Sequence, residues 1–307
     1  MTEISKVGVL PKPATDRFRG KIRVETQIIQ TGLEDLLGDN SANSSALADA
    51  IGFFTSLAPI RRTTFKNQSE ALEVANGVYE CHSQGKTLGI QGVLASSTAL
   101  AELPHYIKIV ELAKQVHIKP DLHMFYLDWD YYPSLRKREQ TNDYPAFRAR
   151  WDELGLPPEN LHNLSGNTKE RKEFEEMFSG QAAMLNEARF PGHPFHRKYK
   201  KWIKHYKNQI TSYYAQLAGQ DHVMGLTSEF GNQIISDAAN RRAICILAAN
   251  QRRKMIGRGA WGYSLFVTTE RSPVELAQYN TAISFIKTPG AKKDQARLPI
   301  LNLDTST

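Results

Sequence analysis

Two adjacent serines stand where a short apolar run gives way to a long amphipathic one. Thr87-Leu88-Gly89-Ile90-Gln91-Gly92-Val93 reads as a buried strand, Leu94-Ala95-Ser96-Ser97-Thr98 as a small-residue turn, and Ala99–Val116 as a helix. Backbone N–H groups at a helix start have no partner within the helix, and they stabilise negative charge placed before them. Ser96 or Ser97 can therefore serve as an acyl nucleophile, or cap the helix, which is the commoner use of serine there. Asp128 and Asp130 close a second apolar run, Leu122–Leu127. Alternate strand residues share a side, so the two carboxylates can act together on a cationic group, or cap the next segment. Glu229, in Gly225-Leu226-Thr227-Ser228-Glu229-Phe230-Gly231-Asn232-Gln233, follows a third candidate strand, Val223–Leu226. A carboxylate there can hold an α-amino group or move a proton. Gly92 and Asn232 complete the candidate substrate-binding set.

Several common chemistries are missing. The nine histidines show no HxH or HExxH spacing, so no metal site is expected. GxxxxGK[ST] is absent, against the P-loop nucleotide folds, and so is GxSxG, against an ordinary α/β-hydrolase. Cys81 and Cys245 have no CxxC neighbour and read as buried thiols in a reducing compartment.

The elements that must position these residues alternate. Strand, turn, helix and strand within Thr87–Asp130 make a βαβ unit. Leu161–Leu164, Ile244–Leu247 and Leu265–Thr268 are further strand candidates, with helices at Tyr144–Leu154, Lys169–Ala188 and Val274–Ala282. Ahead of them, Val24–Leu37, Ala46–Leu57 and Ser69–Ser83 form a helical segment at about 22–85, the last stopping at Gly85. The expected fold is a single α/β domain over residues 1–307, Rossmann-like, with a parallel sheet and helices on both faces. In such sheets ligands bind beyond the carboxyl ends of the strands, which is where the serines and aspartates fall.

The chain carries a formal net charge of +7 over 307 residues, which favours polyanions. Between Glu187 and Asp221 no acidic residue occurs. Arg197, Lys200, Lys201, Lys204 and Lys207 recur at helical spacing, while Tyr199, Trp202, Ile203, Tyr206 and Ile210 line the other side. Like charges on one face repel, and a phosphate backbone relieves that repulsion; RNA is the expected partner, against the alternative of a solvated face. Arg136-Lys137-Arg138, Arg241-Arg242 and Arg252-Arg253-Lys254 extend that surface in this reading. No apolar run is long enough to span a bilayer, and the first residues lack a secretory layout, so a cytoplasmic protein is expected.

Thr87–Asp130 resembles the first βαβ unit of the class I aminoacyl-tRNA synthetase fold as reused by the cyclodipeptide synthases. There, a strand of the Leu-Gly-Ile type leads into a small-residue turn with a nucleophilic serine, then a long helix and a strand ending in aspartate. Leu154-Gly155-Leu156-Pro157-Pro158-Glu159-Asn160-Leu161 is similar to the helix-to-strand stretch of tyrosyl-tRNA synthetases, and Gly225–Gln233 to their later strand-to-helix segment. Pro104-His105-Tyr106 and Lys254-Met255-Ile256-Gly257 are poor matches to the HxGH and KMSKS motifs that hold ATP. Their loss is expected of an enzyme whose amino acids arrive already activated as tRNA esters. The family's Tyr-x-x-x-Glu pair has no match, and the chain is longer than the bacterial enzymes; the fungal arginine-using branch fits better. The resemblance implies a tRNA-dependent cyclodipeptide synthase with aminoacyl-tRNA as partner and no ATP, metal or organic cofactor. Ser96 or Ser97 would carry the first aminoacyl group, and Glu229 would position and deprotonate the second α-amine. Asp128 and Asp130 would read a side chain such as arginine, and the basic helix would grip the tRNA. A non-catalytic RNA-binding protein on the same scaffold is the alternative.

Overall fold

The computed structural model describes residues 31–32, 34–35, 44–57, 68–127, 143–166, 168–197, 200, 228–268 and 300–302. Helices α1 (Ser44–Leu57) and α2 (Gln68–Ser83) precede β1 (Thr87–Ala95), α3 (Ser96–Gln115) and β2 (Pro120–Leu127). Helix α4 (Tyr144–Glu153) and a 3-10 turn (Pro158–Asn160) lead to β3 (Leu161–Asn163) and α5 (Lys169–Glu187). The long α6 (Ser228–Gly257), β4 (Trp261–Thr268) and β5 (Ile300–Asn302) follow.

The strands form one five-stranded sheet in the order β3-β2-β1-β4-β5, every neighbouring pair parallel. The expected α/β class with a parallel sheet is what the chain adopts. Side-chain alternation assigns the two faces. Leu88, Ile90, Leu94, Leu122, Met124, Tyr126, Leu265 and Val267 pack with residues of α1–α4 in one apolar cluster. Phe125, Leu127 and Phe266 pack with α5 and α6 in another. Helices therefore cover both faces, and the central strands are buried on both sides, apolar on the first and interrupted on the second by the polar Gln91, His123 and Ser264.

Gly89 shows how tight the second face is. A Cβ there would fall inside the van der Waals envelope of the Trp261 indole, so only glycine lets that ring lie flat on β1. Gly85, at φ +63, ends α2 in the left-handed conformation that suits glycine after a helix.

Three expectations need correction. Ile244–Leu247 is not a strand but the buried middle of α6. A short apolar run looks alike in a buried strand and in a helix packed on several sides, and here the surrounding residues extend it to 30 helical positions. Leu94–Thr98 is not a turn: β1 continues to Ala95 and α3 starts at Ser96. Arg241 and Arg242 do not extend a basic surface, being 8% and 3% exposed, because they lie on the side of α6 that packs inward. Residues 24–30 of the first expected helix lie outside the described residues, as do the expected helix at Val274–Ala282 and the expected strand at Val223–Leu226.

Candidate functional site

The strand order reverses beside β1. The chain moves outward through β2 and β3 on one side, then returns to place β4 and β5 on the other. Helix α3, which follows β1, packs on one face, while α6, which feeds β4, packs on the other. In sheets of this order, connections leaving to opposite faces open a crevice at the carboxyl ends of the strands, the usual ligand position. Ser96 and Ser97 are the first two residues of α3, directly after β1, so the backbone around them belongs to a helix N-terminus. Their side chains lie outside the described ones, as do those of Glu229 and Asn232 in the first turns of α6. Asp128 and Asp130 lie wholly outside the described residues. Gly92 sits within β1, where a Cβ would strike Tyr106 of α3 and the Met124 side chain, so its missing side chain serves close helix–sheet packing. Arg197 and Lys200 are helical and exposed, whereas Lys201, Lys204 and Lys207 fall outside the described residues.

The best-defined polar constellation lies elsewhere, on the α6 face of the sheet. Its centre, His123, stands four residues before the end of β2, about 13 Å along the strand from the carboxyl edge. Its hydrogen bonds can be read outward from one fixed acceptor. The Ala248 carbonyl only accepts, so the Gln91 atom 3.0 Å away is the amide nitrogen. That nitrogen also donates to Gln251 Oε1 at 2.6 Å, which orients the Gln251 amide. Gln251 Nε2 then gives its two hydrogens to His123 Nδ1 and His162 Nε2, each at 2.7 Å. His123 must carry its proton on Nε2, which donates to Asp121 Oδ2 at 3.2 Å. His123 Nδ1 and His162 Nε2, 3.1 Å apart, then both accept from Gln251 rather than bonding each other, so His162 carries its proton on Nδ1, and that nitrogen has no hydrogen-bond partner among the described residues.

Packing holds these rings in place. His123 and His162 stack with centroids 5.4 Å apart, Phe125 stacks on His162 at 5.0 Å, and Trp261 meets His123 edge-on at 5.1 Å. Burial pushes the His162 imidazolium down to about 4, helped by repulsion from His123, so the ring is neutral near pH 7. Burial would raise Asp121, but hydrogen bonds from His123, Trp261 Nε1 at 2.7 Å and Asn160 Nδ2 at 2.8 Å outweigh it and hold the carboxyl below its ordinary range. The result is a fixed carboxylate, an oriented His123 ring and, in His162, a neutral imidazole with one donor to spare.

That second imidazole lines a cavity of about 540 Å³ between β2, β3, α5 and α6. Phe125, Leu164, Leu247 and Met255 supply apolar wall, while Glu159, Glu170, Lys254 and Arg258 supply charge. None of those four charged side chains makes a hydrogen bond or ion pair with another described residue, whereas Lys169 and Glu173 pair across 3.8 Å. An acid in the first turn of α5 and a lysine in the last turn of α6 complement the helix dipoles. That accounts for the residue types and leaves open what their charges meet.

Among the described residues no group of three or more His, Cys, Asp or Glu is placed to hold a metal ion, and no helix is long and apolar enough to cross a membrane. Cys81 and Cys245 are both buried and unpaired, and burial pushes the Cys245 thiol up to about 12, far from the range of a thiolate nucleophile.

Asp121, His123, His162 and Gln251 were not singled out by spacing. Their one local signal is the Asp121-x-His123 alternation inside an otherwise apolar strand, and their partners come from residues up to 160 positions away. No protein-family model, curated protein or solved structure matches the chain.

Proposed function

We propose that the chain is an acyltransferase that takes aminoacyl groups from tRNA esters and joins two of them into a cyclic dipeptide, on a scaffold of the class I synthetase kind. The observation that carries this reading is the direct passage of β1 into α3 at Ser96-Ser97, beside the point where the strand order reverses. The order β3-β2-β1-β4-β5 is the one a doubly wound nucleotide-type fold has through its first five strands, which supports the scaffold.

In this reading the oxygen of Ser96 or Ser97 attacks the ester carbonyl of one aminoacyl-tRNA. The bond to the terminal ribose oxygen breaks, and the free tRNA leaves with the proton. Backbone N–H groups of the first turn of α3 stabilise the oxyanion. Two amide bonds then form with the second aminoacyl group, its tRNA leaves, and ring closure regenerates the serine. Two esters are consumed for two amides, so no ATP is required. Glu229 serves the second α-amine, Asp128 and Asp130 read a side chain, and the run from Arg197 through Lys200, Lys201, Lys204 and Lys207 holds the tRNA.

Incubating the purified chain with charged tRNA and analysing the small-molecule fraction tests the proposal. A diketopiperazine should appear with wild-type protein and fall by at least about 10³-fold when the acting serine becomes alanine, the loss expected for a missing nucleophile. Free amino acid as the sole product, or undiminished diketopiperazine from the Ser96→Ala/Ser97→Ala double variant, contradicts it.

A further inference from the structure

The cavity beside His162 is lined by none of the residues assigned to the strand tips, and its chemistry is defined by side chains rather than by strand order. Three features converge on it. His162 Nδ1–H is a fixed donor, since the Gln251 amide occupies Nε2 and leaves no other tautomer. Lys254 lines the same space, close enough to His162 to oppose its protonation, and makes no ion pair with a described residue. Glu170 also lines it, with the opposite influence on His162, and is likewise unpaired.

Glu170 and Lys254 bring opposite charges to one cavity, beside Glu159 and Arg258, without pairing with each other. Drawn together they would neutralise; held apart on different helices, each is left to solvent or to a ligand. A neutral imidazole donor adds a hydrogen bond without adding charge, so the lining offers a donor, a cation and a carboxylate together. A volume of about 540 Å³ falls in the range of small-molecule sites.

We infer that this cavity binds a free zwitterionic α-amino acid, its carboxylate on His162 Nδ1–H and Lys254 and its ammonium on Glu170. Phe125, Leu164, Leu247 and Met255 then receive the amino acid's own side chain. A dianion leaves Glu170 opposed, and a diamine leaves Lys254 and the imidazole N–H opposed. An aminoacyl-tRNA has no free carboxylate, so the occupant is not the ester substrate of the proposed reaction. The inference goes beyond that reading and does not depend on it.

Calorimetric titration of the full chain with each proteinogenic α-amino acid tests this. At least one should bind, with its N-acetyl and carboxamide derivatives weaker by about tenfold or more, the usual loss for one charged hydrogen-bonded contact. Glu170→Gln and Lys254→Gln should each weaken binding by a similar factor; both residues are exposed, so the fold survives the change. His162→Phe, which keeps the stack on Phe125, should weaken it too. Inorganic phosphate and putrescine are the single-sign probes. Absence of binding by any amino acid up to about 10 mM, or phosphate binding as tightly as the best amino acid, overturns the inference. So does unchanged affinity in Glu170→Gln and Lys254→Gln.

Discussion

His162 is the residue whose state most depends on the surrounding fold. Its folded value of about 4 lies below the ordinary 6.5, so between those values the unfolded chain binds more protons than the folded one. Stability should therefore be full above about pH 6.5, fall as pH drops toward 4, and change no further from this residue below that. The shift corresponds to a few kcal/mol, on the order of 3. Urea denaturation across that window should give a midpoint that falls with acid in the wild type. His162→Phe should be flatter there, although lower overall. Equal slopes in the two proteins would show that the imidazole is not held neutral. Asp121 acts in a different window: its carboxyl is held below the ordinary range, so its contribution persists through that interval and is lost only at lower pH. At this scale the sequence was informative about identity and poor about company. Ser96 and Ser97 were visible because a strand-to-helix junction is local. The His123–His162 pair was not, because two strands 39 residues apart had to pair in the right register.

Elements formed where local pattern and burial agreed. The Thr87 run, the Leu122 run and the helix between them were legible because apolar residues, turn residues and amphipathic spacing changed in step. Helix α6 was not, because Ala243–Ala249 is apolar on every side and carries no period to read. It is also the element that brings Ala248 and Gln251 to the sheet, so missing it meant missing the cluster. The contact of Gly89 with Trp261 is a test of how these elements meet. Gly89→Ala should push the indole off β1 and weaken its bond to Asp121, costing about 1–3 kcal/mol by overpacking. Chemical denaturation followed by tryptophan emission measures this. A loss within about 0.5 kcal/mol, the scale of an ordinary surface change, would mean that the sheet and Trp261 are not so closely fitted.

The whole molecule separates two kinds of place. A parallel sheet whose order reverses at β1 makes a crevice at its carboxyl tips, and this follows from topology alone. The cavity under α6 arises from packing, between the amino-terminal turn of α5 and the carboxyl-terminal turn of α6. The polyanionic partner belongs to the proposal for the first place, while the second holds charges of both signs. The fold class, and with it where to look for the first place, depends on element order and could be anticipated. The second could not, since it depends on which side chains meet across the layers. Intact-protein mass spectrometry after brief mixing with charged tRNA bears hardest on the proposed acyl transfer. A mass increase of one aminoacyl residue is expected, lost on changing one of Ser96 and Ser97 to alanine and kept on changing the other. An unmodified wild-type chain, or an adduct that survives in the double variant, would contradict it.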